Sequence, residues 1–348
     1  MAVTPAELAI FAKSIINYNE KNPPTDQVNI KRPLLEALNA KKKTFSASLQ
    51  YVEENLHTSN GVGLQWLYGA DLLTYNAIDT LDKAQFAWRT SFAGITMHYD
   101  ELAANGVVIA DNSKITSTSD DRAIIVPIMT EKLASLDAGI DESFHRQLWL
   151  DGTQSVNAPA GIDALISVTP ALGVVGGIDR AAKLFWRNNA QTGIVPSTAT
   201  FSLLNAMDAH WRQCSRFGKA PTHIFASAAF IDAYKTEMGV RQPSFLTNAS
   251  PSTKRDVGYT GVFYNNIELI WVPDFDTNFG LAAPLVPWSK RCYFLNLDSL
   301  KLRPMDKHDW VSTTPARPSN QFIFNTGKVW RGALTANQVN NQSVLSIA

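Results

Sequence analysis

The chain has 348 residues, 45% of them hydrophobic and only 18% charged, and its 31 basic side chains are balanced by 31 acidic ones. A nucleic-acid binder of the basic-patch kind carries a positive excess, which this balance excludes, whereas zero net charge gives weak protection against self-association. Two cysteines, Cys214 and Cys292, form neither a disulfide framework nor a CxxC pair. Met1-Ala2-Val3-Thr4-Pro5-Ala6-Glu7 has an acid where a signal peptide needs bases. No apolar run reaches the roughly 18 residues of a membrane helix, so the expectation is a protein made and kept in a cytoplasm.

Thr4 as cap, Pro5 behind it and Glu7 predict a helix over residues 4–20, with Leu8, Phe11, Ile15 and Tyr18 on one stripe. Asn22-Pro23-Pro24-Thr25-Asp26 breaks it, and a short helix through Leu34, Leu35 and Leu38 follows Pro33. Residues 1–56 therefore read as an N-terminal arm, in which Lys41-Lys42-Lys43 is a solvated run. From Gly61 to Gly106 the aromatics Trp66, Tyr68, Tyr75, Phe86, Trp88, Phe92 and Tyr99 lie among polar residues without a helical period, which predicts strands joined by polar turns. The alternation over Gln85–Tyr99 suits an extended hairpin arm.

A long helix is predicted over Ser119–Leu150, from Ile124, Ile125, Ile128, Met129, Leu133, Leu136, Ile140, Phe144 and Leu148, with Pro127 either distorting a turn or marking the true start. Asp151-Gly152-Thr153 and Gly161-Ile162-Asp163 lead out of it into an α/β body. There Ser197 is expected to cap a helix carrying Leu203, Leu204, Met207, Trp211 and Cys214. Thr222–Ala226 reads as a buried strand, Ser227 as the cap of a helix through Phe230, Ile231 and Tyr234, and Gly261–Val272 as a hairpin. Strands are expected at Cys292–Leu295, Leu300–Arg303, Asn320–Phe324 and Lys328–Leu334.

Catalytic chemistry is hard to find. The six histidines (His57, His98, His145, His210, His223 and His308) show no HxxxH, HExxH or HxH spacing, and His223 reads as a core side chain. Asp274 and Asp276 form a DxD at a strand end, a pattern able to hold a divalent cation but commonly a capped polar turn. Gly61-Val62-Gly63 and Gly173-Val174-Val175-Gly176-Gly177 lack the frame of a phosphate cradle, and Ser227 lacks a nucleophile elbow. For an enzyme, Asp274, Asp276 and His308 are the least poor candidates. No cofactor and no metal enters the reading.

The order of arm, aromatic hairpin with Phe86-Ala87-Trp88-Arg89, Glu101-Leu102 near Asn105-Gly106, long helix, Asp151-Gly152-Thr153, Gly161-Ile162-Asp163 and Val329-Trp330-Arg331-Gly332 resembles the major capsid proteins of tailed phages. The resemblance covers residues 50–348 and implies an α+β protein of the Hong Kong 97-like fold. It places an extended β-hairpin loop at 57–117 and an axial α/β domain at 160–291. A peripheral domain with a long spine helix takes 118–159 and 292–348. The implied function is a coat subunit assembling, as pentamers and hexamers, into an icosahedral shell around double-stranded DNA contacted non-specifically. Implied partners are a separate scaffolding protein, a portal protein and a decoration or cement protein. No membrane is involved: the shell is assembled in the host cytoplasm and ends in the virion. An encapsulin-like nanocompartment is the alternative. Phe11, Ile15, Phe86, Trp88, Arg89, Phe92, Trp330 and Arg331 are the candidate inter-subunit contacts. Some members of the family cross-link subunits through a loop lysine and a peripheral asparagine; Lys83 with Asn320, Asn325 or Asn337 matches by region only, and that chemistry demands a buried lysine.

Overall fold

The computed structural model describes residues 30–46, 50–61, 63–75, 80–98, 100, 119–241, 262–313 and 323–348, and the backbone alone at 119–130, 241 and 324. The helix expected over 4–20, with Phe11 and Ile15, lies outside these residues, as do Glu101-Leu102, Asn105-Gly106 and Asn320. In chain order the elements are α1 (Pro33–Ala40), β1 (Tyr51–His57), β2 (Leu81–Ala87), β3 (Arg89–His98), α2 (Ser119–Trp149), α3 (Ile162–Leu165), β4 (Val174–Val175), β5 (Ile178–Asp179) and β6 (Asn189–Ile194). There follow α4 (Ser202–Ser215), β7 (His223–Ala226), α5 (Ala228–Arg241), β8 (Phe263–Tyr264), β9 (Ile267–Trp271), α6 (Pro273–Asp276), β10 (Arg291–Leu295), β11 (Leu300–Pro304), β12 (Val311–Thr313), β13 (Ile323–Ala336) and β14 (Ser343–Ile347).

These elements form two compact units. One is built on Thr90–Phe144 and Lys307–Arg331, the other on Lys31–Arg89, His145–Asp306 and Gly332–Ala348. In the first, β12 pairs antiparallel with the early part of β13, Val311 opposite Val329, and β3 also pairs with β13. The helix α2 is one continuous element of 31 residues, about 46 Å at 1.5 Å per residue, so Pro127 neither starts nor splits it. Its apolar positions Leu136, Ile140 and Phe144 are all buried. The Phe144 ring meets Trp330 at 4.8 Å and Trp310 at 5.3 Å, both edge-on, the geometry that ring quadrupoles favour.

The second unit is organised by a six-stranded mixed sheet in the order β6-β14-β10-β7-β9-β8. All five residues of β10 are buried, as a central strand covered on both faces requires. On one face Ile224, Ala226, Cys292, Phe294 and Leu345 pack with Leu203, Leu204 and Met207 of α4 and Phe230 of α5. On the other, Trp149 lies 4.7 Å from Phe275, 5.6 Å from Phe225 and 5.4 Å from Tyr293. Strands β10 and β14, expected in the peripheral domain, are inner strands of this sheet, flanked on both edges by other strands.

Two further expectations are corrected. Helix α4 starts at Ser202 rather than after Ser197: Phe201 is left-handed at φ 50. The cap comes from the buried Glu237 carboxylate, which accepts the N–H groups of Ser197 at 2.7 Å, Leu203 at 3.2 Å and Leu204 at 3.0 Å. The arm expected to end at residue 56 runs into β1, which pairs along its whole length with β2, Tyr51 opposite Ala87 and His57 opposite Leu81. The Ser227 cap is as expected, its hydroxyl accepting the Phe230 N–H at 3.3 Å. So is the 261–272 hairpin, which is β8 and β9.

Candidate assembly interface

Residues 63–75 connect β1 towards β2 without strand or helix. The Gln65 side chain closes this loop: its amide nitrogen donates to the Thr74 carbonyl at 3.1 Å, and its amide oxygen accepts the Thr74 N–H at 3.1 Å. The Tyr68 N–H donates to Asp71 Oδ2 at 2.8 Å, fixing a turn at the tip. A side chain clamping its own loop pre-organises what the loop displays. Here it displays Leu64, Trp66, Tyr68, Leu72, Leu73 and Tyr75, with Trp66 and Tyr68 both 92% exposed. Exposed large apolar side chains so close together in sequence make this loop a candidate contact site.

The expected contact residues divide. Phe86 is 6% exposed and Trp330 1%, so both are committed to the chain's own core and have little area left for a neighbour. The reason is alternation: each points inward from a strand that a second layer covers. Trp88 and Arg89 are half-buried, and Phe92 remains 64% exposed. The Phe92 ring lies across two glycines, since a Cβ at Gly94 would come within 2.8 Å of it and one at Gly327 within 2.7 Å. The pairing of β3 with β13 thus carries an aromatic platform on its outer surface. Arg331 is half-buried, and its Nε is buried without a hydrogen-bond partner. The stronger surface, Trp66 with its neighbours, was not singled out from sequence. The signal was there: seven large apolar residues within 64–75 fit neither a helical nor a strand period, and so cannot bury themselves.

The two sequence motifs around α2 have structural explanations. Asp151 Oδ1 accepts the Thr153 N–H at 3.0 Å, its hydroxyl at 2.8 Å and the Gln154 amide at 2.9 Å, closing the helix exit. Gly161 passes against that helix end, where a Cβ would fall 2.2 Å from the Leu150 carbonyl oxygen, so only glycine fits.

Of the enzyme reading's residues, Asp274 and Asp276 have structural side-chain contacts. Asp276 caps α5 by accepting the Ala228 N–H at 3.0 Å and also takes the Trp271 indole N–H at 2.7 Å. Asp274 lies 3.5 Å from the buried His145 ring. Burial, followed by the nearby Arg32 guanidinium, lowers the His145 pKa to about 4, so at neutral pH the ring is uncharged. His308, in the other unit, accepts the Arg331 N–H through its carbonyl at 3.0 Å. His223, expected as a core side chain, is only half-buried, and its ring meets the Thr222 hydroxyl at 2.9 Å. Among the described residues no three His, Cys, Asp or Glu side chains come together as a metal site, and no helix is long and apolar enough to cross a membrane. Lys83, 63% exposed at its side chain, pairs with Glu53 at 3.2 Å, and the Asn325 amide oxygen accepts the Thr96 hydroxyl at 2.9 Å. Neither has the burial that lysine–asparagine cross-linking requires.

No family model matches the chain, and no curated protein does. Solved structures do. The capsid asymmetric unit of cyanophage A-1(L) is similar with a TM-score of 0.66 at 15% identity, covering 94% of this chain and 96% of that one. The capsid of a native GTA particle gives 0.55 at 12% identity, covering 97% and 98%. The SrpI encapsulin complex from Synechococcus elongatus gives 0.54 at 11%, covering 99% and 96%. Likeness over nearly the full length of each chain, together with the long helix, the β1–β2 hairpin and the α/β body, establishes that this chain has the Hong Kong 97-like capsid fold.

Proposed function

We propose that this chain is the repeating subunit of a closed protein shell, a phage-type capsid around double-stranded DNA. The observation that carries the reading is the clamped loop 63–75, which holds Trp66, Tyr68 and four further large apolar side chains in solvent on a capsid fold. Such aromatic anchors dominate protein interfaces when a partner covers them. Trp88 and Arg89 in the same unit, and Phe92 and Arg331 in the other, are further proposed contact residues. Balanced charge leaves few phosphate contacts per copy, so DNA is held by confinement rather than by affinity. A separate scaffolding protein, a portal and a decoration protein complete the proposed set of partners, and the virion is the proposed location.

Electron microscopy of the purified protein tests this. Closed particles, or rings of five and six subunits, are expected, and a small monodisperse oligomer would overturn the shell. The encapsulin alternative draws support from the likeness to the Synechococcus complex across 99% of this chain. Nuclease-protected DNA in particles from the native source supports the phage reading, and a protein cargo in its place supports the alternative.

A further inference from the structure

A second exposed apolar feature lies in the α/β body, between a 3₁₀ turn at Asn278–Gly280 and another at Trp288–Lys290. Leu281-Ala282-Ala283-Pro284-Leu285-Val286-Pro287 carries no charge, and its two prolines fix φ at their positions. Leu285 is 101% exposed and Leu281 42%.

The base of this segment is held from both sides. Upstream, Asn278, Phe279 and Gly280 are three consecutive left-handed residues, at φ 50, 56 and 66, a conformation that residues other than glycine rarely adopt and that clusters where structure serves function. Phe279 is nevertheless buried, 5.1 Å from the Trp288 ring, and Asn278 Oδ1 accepts the Trp288 N–H at 2.9 Å. Downstream, Arg291 is 2% exposed and gives Nε and Nη2 to the Val286 carbonyl at 3.0 and 2.6 Å. Its Nη1 donates to Asp163 Oδ1 and to the Tyr293 hydroxyl, both at 2.9 Å, and its guanidinium lies 4.3 Å over Trp288. Burying a cation is costly unless every donor is satisfied. Here a satisfied buried arginine holds the carbonyl next to a wholly exposed leucine.

We propose that Leu281–Pro287 is a stiff apolar finger through which one copy of this chain contacts a second copy, at a place separate from the 63–75 loop. The proposal rests on the shell reading. An uncharged finger offers nothing to nucleic acid or to a partner selected by charge. Its few side chains also bury far less than the about 1,600 Å² of a stable pairwise complex. A contact so small becomes effective when it is repeated over many identical subunits, where linked weak contacts reinforce one another. Head-to-tail assembly also joins two different patches on each copy.

Leu285→Cys tests the finger in the full chain. Cys214 and Cys292 are both buried, so a thiol-directed photo-crosslinker labels the new cysteine alone. In assembled particles, digestion and mass spectrometry should find it joined to a peptide of another copy, and in dissociated subunits it should not. Leu285→Asp should lower the yield of closed particles about tenfold, a loss typical of an anchor residue, with the thermal midpoint of the dissociated subunit unchanged. Linkage to a different protein, linkage only within one chain, or normal assembly of the aspartate variant would overturn the proposal while leaving the shell reading intact. If the unmodified protein forms no particles, the shell reading fails and the finger falls with it.

Discussion

Trp330 in β13 and Trp66 in the loop 63–75 have opposite fates: one is 1% exposed, the other 92%. Composition does not separate them, since each has apolar and polar neighbours. What separates them is a second layer. Around Trp330, Lys328-Val329-Trp330-Arg331 alternates, and α2 supplies Phe144 at 4.8 Å to cover the inward face. Around Trp66 the chain closes on itself through the Gln65 amide, with a turn too small to have an inside. An aromatic residue therefore stabilises the fold or invites a partner according to what its element can be laid against.

Truncation is the most forceful way to break that comparison. Trp330→Ala removes the ring that Phe144 and Trp310 pack on and should cost about 3–5 kcal/mol, seen as loss of the subunit's own thermal transition or of soluble protein. A normal melting curve would show that the contact with Phe144 contributes little and that burial misidentifies the core.

Acid distinguishes the regions a second way. The loop has one carboxylate, Asp71, whereas the core of the second unit holds His145, faced by Asp274 at 3.5 Å and Arg32. With its folded pKa depressed to about 4, the unfolded chain binds the proton first. Stability from this group is thus fully present above pH 6.5 and is lost as pH falls towards 4, by about 3 kcal/mol in all. His210 and His223, also lowered by burial, act in the same sense. Burial of Asp163 raises its carboxyl and opposes them in the acid range. Urea midpoints of the dissociated subunit from pH 7 to 4 should fall along this curve and flatten in His145→Gln; an unchanged slope in the variant would exclude His145 as the source.

Much of this was legible in the sequence where local pattern and tertiary partner agree. Helix α2, the Ser227 cap and strand β10 follow from period and capping alone. Elements whose cause lies elsewhere in the chain were not legible. Helix α4 begins where Glu237 caps it from a different helix, and β1 pairs with β2 across the whole loop. The burial of Phe86 and Trp330 was not legible for the same reason: a strand pattern marks an inward-facing aromatic but does not say whether the covering layer comes from the same chain.

Substitution in the loop sharpens the contrast at lower cost. Trp66→Ala should leave the subunit's melting midpoint unchanged, because the side chain touches little within its own chain, and should weaken each subunit contact by about 2 kcal/mol. Sedimentation of assembled against free protein reads the second effect and calorimetry the first. A destabilised subunit that still assembles would reverse the assignment of Trp66 and Trp330.

The smallest effect is expected at Lys83, which shares the β1–β2 hairpin but neither region's character. Its pair with Glu53 is exposed on both sides, and such pairs contribute little because water and salt screen them. A lysine that reacts with an asparagine amide must lose its proton at neutral pH, which takes burial or a neighbouring cation. Lys83 sits in solvent beside the Glu53 carboxylate, with neither the burial nor the neighbouring cation that such a site needs. Lys83→Ala should therefore leave melting and assembly within experimental scatter, and denatured particles should run as single chains on a gel with or without it. A ladder of covalent oligomers that vanishes in the variant would overturn this and would mean that assembly buries Lys83 in a site the single chain does not possess.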